Sequence, residues 1–158
     1  MKTRISTWLL AVVSLSTLAM VTQADEEKIP LDKVPAKVLK VVKDKFPKAA
    51  ITGSVKEVEA GKTTYEISLK DGEHTIDVSL KDDGTILVIE KGIAVNDLPK
   101  AVSEAVKAKY PKGKVTTAEE LTTGVIITYE VVVELDGKKP FEIVLDPKGK
   151  ILEDEGKG

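Results

Sequence analysis

Apolar residues recur at helical spacing along residues 34–46 and again along residues 98–110. The first set is Val34, Val38, Val41, Val42 and Phe46; the second is Leu98, Val102, Ala105, Val106 and Tyr110. Both follow i, i+4, i+7, i+8, i+12, a single stripe that predicts an amphipathic helix packing its apolar side against a core. Asp32 and Asn96 stand where N-caps belong, and Pro35 and Pro99 fall in the expected first turn. Phe46-Pro47 and Tyr110-Pro111 end the helices, because the residue before a proline is pushed out of the α region.

After each helix the period changes to two. Tyr65, Ile67 and Leu69 alternate with Glu66, Ser68 and Lys70, and Asp71-Gly72 then turns the chain into Ile76, Val78 and Leu80. Asp82-Asp83-Gly84 turns it again into a run from Thr85 to Ile89. The second set gives Tyr129, Val131, Val133 and Leu135, then Phe141, Ile143 and Leu145, then Asp146-Pro147-Lys148-Gly149 and a last strand near Ile151. Asp-Gly between alternating runs is a hairpin signal. Weaker strands are expected around Ser54 to Glu59 and Thr116 to Leu121.

The two sets are copies of one unit. At an offset of 64, Pro35, Val38, Val42, Pro47 and Tyr65-Glu66 fall on Pro99, Val102, Val106, Pro111 and Tyr129-Glu130. One inserted residue moves the offset to 65, so that Leu80, Gly84 and Ile86-Leu87 meet Leu145, Gly149 and Ile151-Leu152. Ordered matches in both helical and strand segments indicate a duplication. The expected fold is α+β: two tandem α-β(3-4) repeats forming antiparallel sheet, with the helices packed on one face. Residues 25–92 and 93–158 are the predicted repeats, packed as one unit around a shared core. The join Glu90-Lys91-Gly92-Ile93 is too short to be a tether, leaving one long sheet or two abutting ones. The polar ends, Asp25 to Lys28 and Glu153 to Gly158, are expected to fray.

Residues 1–24 read differently. Lys2 and Arg4 precede an almost apolar run from Trp8 to Val21 and a small-residue site ending at Ala24. This is the pattern of a cleaved signal peptide, and the run is shorter than a membrane span requires. The expected product is soluble and periplasmic or secreted. Cleavage removes both methionines, the only tryptophan and the only arginine, leaving 22 lysines against 26 acids for a net charge of −4.

That composition narrows the chemistry. A near-neutral to acidic balance argues against nucleic-acid binding driven by positive charge. With no cysteine and one histidine, His74, the chain lacks thiol nucleophiles, Cys-ligated zinc and His-pair metal motifs. His74 reads as an exposed turn residue. Asp71-Gly72-Glu73 and Asp82-Asp83-Gly84 could offer carboxylates to calcium, but they lack EF-hand spacing and suit simple turns. Lys37, Lys40, Lys43, Lys45 and Lys48 form a solvated helix face. Glu66, Glu130, Glu134 and Glu142 could serve as acid–base pairs, yet a one-sided sheet needs polar residues on its open face in any case. No cofactor is expected, and the chain is not read as an enzyme.

The matched residues Val34-Pro35, Phe46-Pro47-Lys48, Tyr65-Glu66, Asp71-Gly72 and Asp83-Gly84, with their second-copy counterparts, resemble the PepSY-like, β-lactamase-inhibitor-like family over residues 29–155. The resemblance implies helices on one side of an antiparallel sheet and a non-catalytic role, binding or inhibiting a secreted peptidase or other envelope enzyme. The absence of cysteine departs from the disulfide-bearing inhibitor end of that family. With the apolar face consumed by the helices, a protein partner is expected on the polar face, at Glu66, Ser68, Asp77, Glu130, Val132, Glu134, Glu142 and Val144. Val132 and Val144 stand out there as apolar residues at polar phases. The alternative is a periplasmic protein that binds a small ligand or divalent cation through the acidic turns.

Overall fold

The computed structural model describes residues 25–156, so the predicted signal peptide lies outside the described residues. Nine strands form one antiparallel sheet in which spatial order equals sequence order, β1 to β9. β1 (Asp25–Lys28) precedes helix α1 (Ala36–Lys45). β2 (Ala50–Glu59), β3 (Lys62–Asp71), β4 (His74–Lys81) and β5 (Ile86–Ile93) follow as a meander. Helix α2 (Lys100–Lys109) then leads into β6 (Lys114–Thr123), β7 (Ile126–Glu134), β8 (Phe141–Leu145) and β9 (Ile151–Asp154). A helix followed by four strands thus occurs twice, and the β-bulges recur with it. Register shifts fall at Ile51/Gly53 and Ser79/Leu80 in the first half and at Val115/Thr117 and Val144/Leu145 in the second. Bulges at the same places impose the same local twist on both halves.

The sheet is continuous. Glu90 to Ile93, expected to be a connector, is the end of β5, and it pairs with β6 through Glu90↔Leu121, Gly92↔Glu119 and Ile93↔Ala118. The core, in contrast, is not shared. One cluster gathers Val38 and Val42 with Ile67, Leu69, Ile76, Val78 and Leu80; another gathers Val102 and Val106 with Val131, Val133, Ile143 and Leu145. Each helix covers its own half, because a helix of ten residues is too short at about 1.5 Å per residue to reach across nine strands about 4.8 Å apart.

Three local expectations need correction. Asp32 and Asn96 do not cap the helices; they lie in 3-10 turns, Leu31–Lys33 and Val95–Asp97. Val34 and Leu98, each before a proline, take extended ψ of 135° and 140°, so the helix cannot run through them and starts after Pro35 and Pro99. Both prolines occupy the N-cap position itself rather than the first turn. Asp25 to Lys28, expected to fray, is an edge strand paired with Val55 to Val58.

Within the described residues, the segment around Asp154 is likewise anchored. Asp154 on β9 is almost fully buried, accepts a hydrogen bond from the Tyr110 hydroxyl (2.8 Å) and from the Gly156 amide (3.0 Å), and meets the Lys109 ammonium. Burial alone would raise its pKa, but the bonds from Lys109, Tyr110 and Gly156 outweigh it and hold the carboxylate below its usual range. Asp154→Ala should cost about 1–3 kcal/mol, read as a lower urea midpoint. Because the folded-state pKa is depressed, this contribution is present above the unfolded value and is lost as pH falls through the lower, folded one.

Candidate functional site

The two helices cover one face of the sheet; the ladder register defines what stands on the other. Along β3 and β4 the pairs Glu66↔Ser79 and Ser68↔Asp77 face away from the helices, since Ile67↔Val78 and Leu69↔Ile76 face them. Continuing laterally, Asp77 pairs with Glu90, Gly92 with Glu119, Glu119 with Glu130, Glu130 with Val144, and Val132 with Glu142. Glu66, Asp77, Glu90, Glu119 and Glu130 therefore form an acidic band crossing the centre of the sheet. Ser68 and Asp77 lie in it beside Glu66; Glu142 and Val144 extend it on β8, and Glu134 stands exposed at the end of β7. The register thus brings Glu66, Ser68, Asp77, Glu130, Val132, Glu142 and Val144 onto one surface, with Glu134 at its margin.

The centre of this face is drier than a solvated sheet surface. Glu90 is 7% exposed, Glu130 5%, and Val132 and Leu121 3% each, although none belongs to either helix-covered core cluster. Burial, then the charges of Asp77, Glu26 and Glu57, push the Glu66 carboxyl up to about 7. Burial, then the charges of Glu119, Glu66, Asp77 and Glu130, push Glu90 up to about 8. Carboxyls of that kind hold protons near neutral pH and can exchange them when charge arrives. Val132 is thus not the exposed apolar spot that its phase predicts. At 3% exposure, Val132→Lys would bury a charge rather than leave stability untouched.

Three residues here were missed by sequence reasoning: Glu90, Glu119 and Leu121. The alternation Val88, Glu90, Gly92 carried a period-two signal beyond Ile89, but the segment read as a join between copies. A further feature is the β6–β7 hairpin tip. Val125 is 97% exposed, with Ile126 and Ile127 beside it also exposed, whereas the first copy has Gly61, Lys62 and Thr63 at the matching positions. Three consecutive exposed β-branched apolar residues depart from what a solvated turn needs.

The acidic turns serve their own backbone. Asp83 accepts from the Thr85 amide at 2.8 Å, and Asp146 from the amides of Lys148 (2.8 Å) and Lys150 (3.0 Å). His74 is exposed, its Nδ1 3.1 Å from the Gly92 carbonyl oxygen. Among the described residues, no three His, Asp or Glu side chains are disposed to hold a metal ion. Among the same residues no helix is long and apolar enough to cross a membrane.

With this geometry in place, comparisons locate the chain among known proteins. A family model described as "Putative beta-lactamase-inhibitor-like, PepSY-like" matches twice, at residues 20–88 and 78–153. No curated protein matches. Among solved structures, a "putative periplasmic" protein from Bacteroides eggerthii is similar at TM-score 0.66 and 18% identity, with 76% of this chain and 86% of that chain covered. A DUF2874 family protein from Bacteroides ovatus gives 0.64 and 18%, covering 77% and 86%. A BLIP-like protein from Bacteroides fragilis gives 0.60 and 20%, covering 74% and 82%. At these identities the likeness is one of fold.

Proposed function

This chain belongs to the PepSY-like, β-lactamase-inhibitor-like family, and on that premise we propose that it is a non-catalytic protein-binding module of the periplasm or the secreted fraction. It engages an envelope or secreted enzyme, a peptidase being the class the family suggests, through the sheet face opposite the helices. The observation that carries this reading is the one-sided covering of the nine-stranded sheet. Both apolar stripes are spent on one face, and the other is left with an acidic band bordered by an exposed apolar hairpin tip. The partner surface comprises Glu66, Ser68, Asp77, Glu134, Glu142 and Val144, to which Glu119 and the tip residues Val125 and Ile126 are now added, while Glu90, Glu130 and Val132 lie buried beneath it. Charge of one sign on such a face speeds the approach of a partner with a basic rim and does so less at high salt.

Affinity capture from an envelope extract tests the reading. Val144→Lys combined with Val125→Asp should abolish capture while shifting the melting temperature little, because Val144 is half-buried and Val125 fully exposed. Capture that survives this pair of changes, but is lost on altering Lys40 and Lys43, would place the site on the helical side instead.

A further inference from the structure

Helices α1 and α2 cover the same face of the sheet, with Val38 and Val42, or Val102 and Val106, turned onto their own halves. At about 3.6 residues per turn, Lys40, Lys43, Lys100 and Lys107 fall on the outward sides, and all four are exposed. Charge is sorted between helices and sheet. Residues 30–49 and 94–113, the helices with their flanking turns, hold ten lysines and four acids; the rest of the chain beyond residue 24 holds twelve lysines and twenty-two acids. Lys40, Lys100 and Lys109 are engaged by Asp44, Glu104 and Asp154. Lys37, Lys43, Lys48, Lys107 and Lys112 make no ion pair among the described residues. Helix stability does not explain the placement. A lysine complements the helix dipole in the last turn and opposes it in the first. Yet Lys37 and Lys100 occupy first turns that contain no acid, and Lys48 and Lys112 lie past the helix ends.

We propose that the helical face seats the protein on an anionic lipid bilayer, leaving the opposite sheet face turned to solvent. The free lysines do not converge on one pocket. They are spread over two helices on separate halves of a nine-stranded sheet, an arrangement that matches many phosphates in a plane rather than one anion. The chain's net negative charge does not forbid the contact. A helix is about 10 Å across, so the acids of the far face lie behind the lysines by more than the Debye length of about 8 Å at physiological salt. A lipid surface against the helices therefore meets the field of the lysines first. Such binding is peripheral and salt-sensitive, with each lysine worth about fivefold in affinity. It is independent of the partner-binding reading of the sheet face and compatible with it.

Vesicle sedimentation tests this, using the protein from residue 25 onward so that the apolar run at residues 8–21 does not itself enter lipid. The protein should sediment with vesicles of mixed phosphatidylcholine and phosphatidylglycerol at low salt, be released as salt rises, and ignore phosphatidylcholine alone. Lys43→Gln, Lys107→Gln and Lys112→Gln together should weaken binding about a hundredfold. Lys62→Gln, Lys70→Gln and Lys139→Gln together give the same net charge but lie off the helices, and should bind nearly as the wild type does. Arginine at positions 43, 107 and 112 should retain binding, which separates loss of charge from damage to the fold. Failure to sediment with the mixed vesicles at low salt overturns the proposal. Equal weakening by the two glutamine triples also overturns it, since net charge alone would then be at work. Release by inorganic phosphate at a concentration matched to the lipid phosphate, with ionic strength held constant, would point to a single-anion site and overturn it as well.

Discussion

Gly149→Ala is expected to destabilise the chain by about 3–5 kcal/mol, a large fraction of a domain's usual margin. Two costs add. Gly149 sits at φ +83°, where a side chain costs about 1–2 kcal/mol. The new methyl would also stand well inside van der Waals contact of the Ala101 carbonyl and close to the Ala105 side chain, both on α2. Neither the backbone carbonyl nor the turn can yield easily, since the Asp146 carboxylate binds the amides on both sides of Gly149. The matching Gly84 has φ +85°, but its added methyl would meet the Val41 side chain at 3.1 Å and the Lys37 carbonyl at 3.4 Å. A side chain can rotate aside, so Gly84→Ala should cost only about 1–2 kcal/mol. Urea denaturation of both variants at unchanged slope checks the ranking. Equal costs would mean that α2 shifts off the turn as readily as a side chain turns.

The second large effect is a stability lost as pH rises. Glu90 has a folded pKa of about 8 against an ordinary value of 4.5, and Glu66 one of about 7. A carboxyl whose folded pKa is raised carries no penalty below the unfolded value. Above it, the unfolded chain ionises while the folded chain still holds the proton, so stability falls progressively as pH rises to the folded value. Each unit of difference is worth about 1.4 kcal/mol, and water at the mouth of the face softens it. The wild-type chain should therefore lose about 2–3 kcal/mol between pH 4.5 and 8 from Glu90. Glu90→Gln should match wild type at pH 4.5, exceed it by that amount at pH 8, and leave only the shallower slope due to Glu66. Parallel pH profiles for the two proteins would show that Glu90 is ionised and well solvated in the fold.

These two sites also mark what one strand at a time can and cannot tell. The helices, the hairpins and the duplication were legible because each is written in local periodicity: Val38 and Val42 four apart, Asp71-Gly72 between alternating runs, Gly84 and Gly149 at one repeat position. The polar phase of Glu66, Asp77, Glu130 and Glu142 was legible for the same reason. The low exposure of Glu90 and Val132 was not, because alternation gives a residue's phase on the strand and not its accessibility in the folded sheet. The shared core failed on a length argument that needs the sheet's full width. Asp32 and Asn96 misled as caps because a capping side chain and a 3-10 turn favour the same residues. Asp25–Lys28 and Asp154 looked like loose polar ends; what orders them are partners far along the chain, Val55–Val58 for one and Tyr110 for the other.

The strand order, running β1 to β9 with no crossover, bears on how the chain reaches this structure. Every strand finds its neighbour next to it in sequence or across a single helical connection, so no ladder waits on the closure of a long loop. Contact order is low for a sheet this wide, and loop-closure entropy, which slows sandwiches and parallel sheets, is paid in small steps. A hairpin can form anywhere and recruit the next strand, as in a stack of repeats, and zippering in either direction ends on the same register. Such a path shortens the time during which apolar strands lie bare before their neighbours cover them.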